Sequence, residues 1–140
     1  MLDILGVETL LNDPPLADQG DSRDLRELDE VLEADVVTLH VPFATGGDHP
    51  TADLLNAGRL MRMKRGACLI NTARGGVVDE SSLKNAMATR ELRGVLDVWR
   101  HEPAIDSGLA AAVMLGTPHI AGYSLDAKLR ATADGLPGYV

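Results

Sequence analysis

From its first residues the chain alternates short apolar runs with stretches of helical spacing. Glu8-Thr-Leu-Leu-Asn12 predicts a strand that stops at Asp13-Pro14-Pro15, because a proline has no N–H to give a sheet ladder. Leu25, Leu28, Val31 and Leu32 then recur at helical intervals with charged residues between them, which is one buried stripe on a helix. Asp35 to Val41, closed by Pro42, is a nearly continuous apolar run and predicts a strand covered on both faces. Phe43 to Pro50 holds two glycines and a proline and reads as a surface loop. Asn56 is placed to cap a helix that ends at Gly66, with Lys64 and Arg65 suited to its negative end.

The same alternation continues. Ala67-Cys-Leu-Ile-Asn71 predicts a strand leading into the turn Thr72-Ala-Arg-Gly-Gly76, where paired glycines permit a positive φ or the close approach of a ligand. Asp79 opens a helix with Leu83, Ala86 and Met87 on one face, and Gly94 to Trp99 is strand-like. After a helical stretch over Ser107 to Val113, the chain passes through Leu115 to Tyr123, and the residues after Asp134 are expected to fray. Strands alternating with helices predict an α/β domain on a doubly wound parallel sheet.

Composition narrows the function classes. At 140 residues, 45% hydrophobic and 24% charged, the chain can bury one core, and it has no apolar run long enough to cross a bilayer. With no such run a membrane is not expected as partner, and a net charge of −8 would repel a phosphate backbone, so neither is a nucleic acid. The single cysteine, Cys68, sits within an apolar run, as a buried core thiol in a reducing cytoplasm would. No metal is expected.

Parallel sheets bind ligands beyond the carboxyl ends of their strands, and polar residues fall at those predicted ends: Asp13, His40, Asn71 with Arg74, Asp97 with Glu102, and His119. Each has a plain alternative. An aspartate before two prolines also forms turns, a histidine in an apolar strand is commonly a core residue, Asn71 can bond its own backbone, and a loop arginine is usually solvated.

The order of three segments carries more than the residues singly. Asn71-Thr-Ala-Arg-Gly75, Asp97-Val-Trp-Arg-His-Glu-Pro103 and Pro118-His-Ile-Ala-Gly-Tyr123 together resemble the D-isomer-specific 2-hydroxyacid dehydrogenase family. The Asp13-Pro14-Pro15 turn, the enlarged loop before Thr51 and the ending at Tyr123 resemble a branch acting on a phosphorylated hydroxy acid. The resemblance implies NAD as cofactor and a homodimer for the complete enzyme. It implies Arg74, Glu102 and His119 as catalytic residues, His119 as the proton acceptor and Glu102 as its hydrogen-bond partner. Asp13 would accept hydrogen bonds from the adenosine ribose and repel the extra phosphate of NADP. Val41, Thr72, Ala73, Arg74, Asp97 and Gly122 would line the rest of the dinucleotide, with Arg74 also gripping the substrate carboxylate and Tyr123 touching the substrate.

Two features depart from the family pattern. Asp53 stands where relatives often carry a histidine, and no Gly-x-Gly-x-x-Gly occurs. Residues 1–140 therefore resemble a partial NAD-binding domain lacking its first strand, without the substrate domain or the C-terminal dimerisation region, and are expected to be inactive alone. Two other classes compete. One is a non-catalytic, truncated Rossmann module. The other reads Asp13-Pro14-Pro15-Leu16 beside the Asp-Pro-Pro-Tyr motif of amino-methyltransferases, which Leu16 and the acidic charge disfavour.

Overall fold

The computed structural model describes residues 2–121. Its centre is a four-stranded parallel sheet, β1 (Val36–Leu39), β2 (Cys68–Asn71), β3 (Arg93–Leu96) and β4 (Leu115–Gly116), in the spatial order of the sequence. Between the strands run α3 (Ala57–Arg62), α4 (Glu80–Arg90) and α5 (Ser107–Ala112), preceded by the short helices α1 (Pro14–Asp18) and α2 (Leu28–Val31). The expected α/β architecture is observed. No helix of the described residues is long and apolar enough to cross a membrane.

Helix starts follow the side chains foreseen for them. The Asn56 carboxamide oxygen accepts the Arg59 N–H at 3.1 Å, and Asp79 accepts the Ser81 and Ser82 N–H groups at 3.1 and 3.4 Å. Such caps satisfy donors that have no partner within the helix. α3 stops at Arg62, short of the predicted Gly66, which lies beyond it with φ +76°.

Register explains the core. Val37, Leu69 and Gly94 are partners across the strands, as are Leu39, Asn71 and Leu96, and all six are buried. Helix residues Leu60, Leu83, Ala86 and Leu109 join Leu39, Leu69 and Leu96 in one apolar cluster. Each leucine buried this way contributes about 1.5–3 kcal/mol. Cys68 is buried, as expected.

Three expectations are corrected. Glu8–Asn12 forms no strand: it makes one bridge, Leu11 to Leu25, and extended chain without a continuous ladder partner is not sheet. That bridge also removes Leu25 from the predicted helix, which is reduced to Leu28–Val31. β1 is not covered on both faces, because it lies at the sheet edge with Val36 and Thr38 exposed. The predicted fraying after Asp134, and the placements of Gly122 and Tyr123, lie outside the described residues.

Candidate active site

Because all four strands are parallel, the segments after β1, β2, β3 and β4 emerge on one edge. His40 and Val41 follow β1, Thr72 to Arg74 follow β2, Asp97 to Glu102 follow β3, and Thr117 to His119 follow β4. His40 is not a core histidine. It is exposed, with Nε2 3.0 Å from Thr38 Oγ1.

The turn after β2 is built by Asn71, whose side chain is enclosed. Its oxygen accepts the Ala73 N–H at 3.1 Å and its amide donates to the Arg74 carbonyl at 3.1 Å. This fixes the backbone on both sides of Arg74 and leaves the guanidinium exposed, with Nη1 donating to the Ala73 carbonyl at 2.7 Å. The glycines that follow do admit a close approach, but of the chain itself. A Cβ on Gly75 would stand 2.2 Å from the Trp99 carbonyl, and one on Gly76 would stand 2.5 Å from the Phe43 ring. Neither has a positive φ.

Asp97 organises the turn after β4. The Thr117 hydroxyl and the Ile120 N–H donate to its Oδ1 at 2.5 and 2.8 Å, and the Ala121 N–H donates to Oδ2 at 2.9 Å. Its carbonyl accepts the His119 N–H at 2.7 Å. Burial alone would raise the Asp97 carboxyl, but these donors and the neighbouring His119 outweigh it and hold the group below the ordinary carboxylate range. So tied, His119 adopts a left-handed backbone, φ +54°, which costs a non-glycine residue energy and persists only where surrounding bonds impose it.

That turn brings His119 to Glu102. Nδ1 lies 2.8 Å from Glu102 Oε2, while Glu102 Oε1 accepts the Trp99 N–H at 2.7 Å. Desolvation pushes the Glu102 carboxyl up, yet the bonds from His119 and Trp99 bring it below its ordinary value. Glu102 is thus ionised at neutral pH and accepts the proton that His119 Nδ1 carries toward it. Beside this pair opens a mostly apolar cavity of about 380 Å³, lined by Trp99, Pro103, Ile105 and Pro118 among others.

Asp13 is half-buried at the start of α1, accepting the Leu16 N–H at 3.1 Å, next to a cavity of about 170 Å³ that Asn12, Leu25, Arg26 and Glu27 also line. A carboxylate there suits a hydroxyl-bearing ligand and opposes an anionic one. Asp97 Oδ2, holding one N–H, retains capacity for one further donor. Residues that the sequence did not single out complete the arrangement: Thr117, whose hydroxyl two positions before His119 was the available signal, and Arg100, whose partners are remote in sequence.

The model of the D-isomer specific 2-hydroxyacid dehydrogenase NAD binding domain matches residues 1–121. The chain is 47% identical over 140 residues to an erythronate-4-phosphate dehydrogenase of Cronobacter sakazakii (strain ATCC BAA-894), covering 99% of the chain and 37% of that enzyme. It is 49% identical over 133 residues to an enzyme of the same name from Shewanella amazonensis (strain ATCC BAA-1098 / SB2B), covering 94% of the chain and 36% of the enzyme. Its fold is similar to that of an NAD-dependent formate dehydrogenase from Staphylococcus aureus in complex with NAD, with a TM-score of 0.66 and 30% identity over 81% of this chain and 35% of that one. The chain spans little more than a third of the length of these curated relatives. Matched from residue 1 to residue 121, and folded as a parallel α/β sheet with its polar turns on one edge, the chain belongs to the NAD binding domain family of the D-isomer specific 2-hydroxyacid dehydrogenases.

Proposed function

We propose that an enzyme containing this chain oxidises the C2 hydroxyl of 4-phospho-D-erythronate to the 2-oxo acid, in pyridoxal phosphate biosynthesis, as a homodimer. The observation that carries the reading is the hydrogen-bonded His119–Glu102 pair on the same sheet edge as the Arg74 turn. Supporting the substrate are the relatives named erythronate-4-phosphate dehydrogenase.

When bound, NAD supplies the nicotinamide ring that accepts the hydride. The chain's own residues do the rest. His119 Nε2 takes the proton of the substrate hydroxyl, and the ionised Glu102 favours the imidazolium that results. Arg74 binds the substrate carboxylate through paired guanidinium donors, a geometry that lysine lacks. Asp13, beside its cavity, would accept hydrogen bonds from the ribose hydroxyls. The Val41 backbone and Thr72, Ala73, Arg74 and Asp97 would line the dinucleotide, with the remaining acceptor capacity of Asp97 available to a donor on it. Gly122 and Tyr123 follow His119 and would add a cofactor and a substrate contact.

The test uses the full-length enzyme with 4-phospho-D-erythronate and with other D-2-hydroxy acids, and NAD against NADP. We expect the highest kcat/KM for the phosphorylated acid with NAD, and a smaller NAD preference in Asp13→Ala. Equal efficiency with NADP and NAD would remove Asp13 from the cofactor site, and a wild-type enzyme that oxidises no 2-hydroxy acid would overturn the function.

A further inference from the structure

The Arg74 turn follows β2 and the Glu102 turn follows β3, yet one side chain fastens them together. Arg100 Nη2 donates to the Val78 carbonyl at 3.0 Å and the Gly76 carbonyl at 3.4 Å, and pairs with the Asp53 carboxylate. The Arg100 backbone N–H donates to Glu80 Oε1 at 2.5 Å, next to the Trp99 N–H that serves Glu102. Asp53 is itself bound to the same turn: its N–H donates to the Gly76 carbonyl at 3.0 Å, and its φ is +49°, a conformation that aspartate tolerates better than most residues. Where the turns meet, Gly75 packs its backbone directly on the Trp99–Arg100 peptide.

The chemistry of the clasp is unusual for arginine. Among the described residues its side-chain bonds all use one nitrogen, and Nε is enclosed without a hydrogen-bond partner. A guanidinium nitrogen of this kind has two hydrogens for the acceptors Asp53, Gly76 and Val78, whereas an ammonium has three. The paired fork that distinguishes arginine from lysine is not used here.

We propose that Arg100 is a positioning residue for the oxidation described above: it clamps the Arg74 turn to the Glu102 turn, so that the carboxylate-binding guanidinium and the His119–Glu102 pair keep a fixed separation. This rests on the dehydrogenase reading. Displacement of either turn would spoil the alignment of the substrate hydroxyl with His119 while the carboxylate is held. Lysine at this position should serve, in contrast to lysine at Arg74, where the paired donors are required.

The experiment compares Arg100→Met, Arg100→Lys and Asp53→Asn in the full-length enzyme, measuring kcat and KM for the hydroxy acid well below each variant's Tm. Arg100→Met should lower kcat/KM about 10- to 100-fold, the scale expected for a misplacement of about 1 Å. Arg100→Lys should recover activity to within about threefold of wild type, and Asp53→Asn should lose about three- to tenfold. Arg100→Met within twofold of wild type, or Arg100→Lys as impaired as Arg100→Met, would overturn the proposal. If Arg100→Met does not fold, the other two decide: active Arg100→Lys beside impaired Asp53→Asn sustains the clamp, and Asp53→Asn at the wild-type rate refutes it. A wild-type enzyme without dehydrogenase activity would instead defeat the functional reading and this proposal with it, whereas an active wild type indifferent to Arg100 defeats the proposal alone.

Discussion

Asp97 shows how one buried carboxylate can set the backbone conformation of a neighbouring residue through the turn it collects. By collecting the Thr117 hydroxyl and two successive backbone N–H groups, it imposes the turn on which His119 sits. Because its pKa is lowered in the folded protein, the stability it adds is present above the unfolded value of about 3.9 and is lost as pH falls through the folded value. Glu102 follows the same sign. We therefore expect the protection of the Ile120 and Ala121 amides against hydrogen exchange, relative to the intrinsic rate at each pH, to fall at acid pH before that of the sheet amides of β2. Asp97→Asn should bring that exchange to neutral pH and lower stability by about 1–3 kcal/mol, since an amide N–H₂ would face at least one N–H. Unchanged exchange in Asp97→Asn would contradict this role. The sequence offered Asp97 only as a ligand contact, because its donors are 20 or more positions away and only the fold assembles them.

At the level of elements, legibility depended on the range of the interaction. Caps at Asn56 and Asp79 act within a few residues and could be read directly, as could the buried runs of β2 and β3. Contacts that decide against a propensity are not local. Leu11 and Leu25 pair across the α1 segment, so one residue leaves a predicted strand and the other a predicted helix. The exposed face of β1 follows from its position at the sheet edge, which an apolar run does not encode. Gly75 could be flagged as a close-approach glycine, but only the fold shows that the approaching group is the Trp99 carbonyl. Gly75→Ala should therefore cost about 1–3 kcal/mol through forced backbone movement, measured by chemical denaturation. It should also reduce activity, because the Arg74 turn moves with it; a Gly75→Ala variant with unaltered stability and rate would show that the two turns are not in contact.

For the whole molecule, the sheet edge gathers the His119–Glu102 pair and the Arg74 turn, while no Gly-x-Gly-x-x-Gly is present in these 140 residues to cradle a pyrophosphate. Loss of a few such contacts, at about 1.5–3 kcal/mol each, weakens binding by several powers of ten. Trp99 reports on this, since it lies two residues past Asp97 with its indole N–H bonded to the Thr117 carbonyl. A polypeptide of residues 1–140 should show no saturable indole quenching up to millimolar NADH, and an enzyme that contains this chain together with a glycine turn should show it clearly. Micromolar binding by the 140 residues alone would mean that the cofactor needs no glycine turn. The central claim, that the His119–Glu102 pair moves the substrate proton, is tested most directly by the pH dependence of kcat/KM in both reaction directions for the full-length wild type and His119→Ala. Oxidation requires neutral imidazole and reduction requires imidazolium, so oxidation should fall on the acid side and reduction on the alkaline side. In His119→Ala both limbs should vanish, with a loss of about 10²–10⁴-fold. Retention of most activity, or of the same two limbs, in His119→Ala would contradict it.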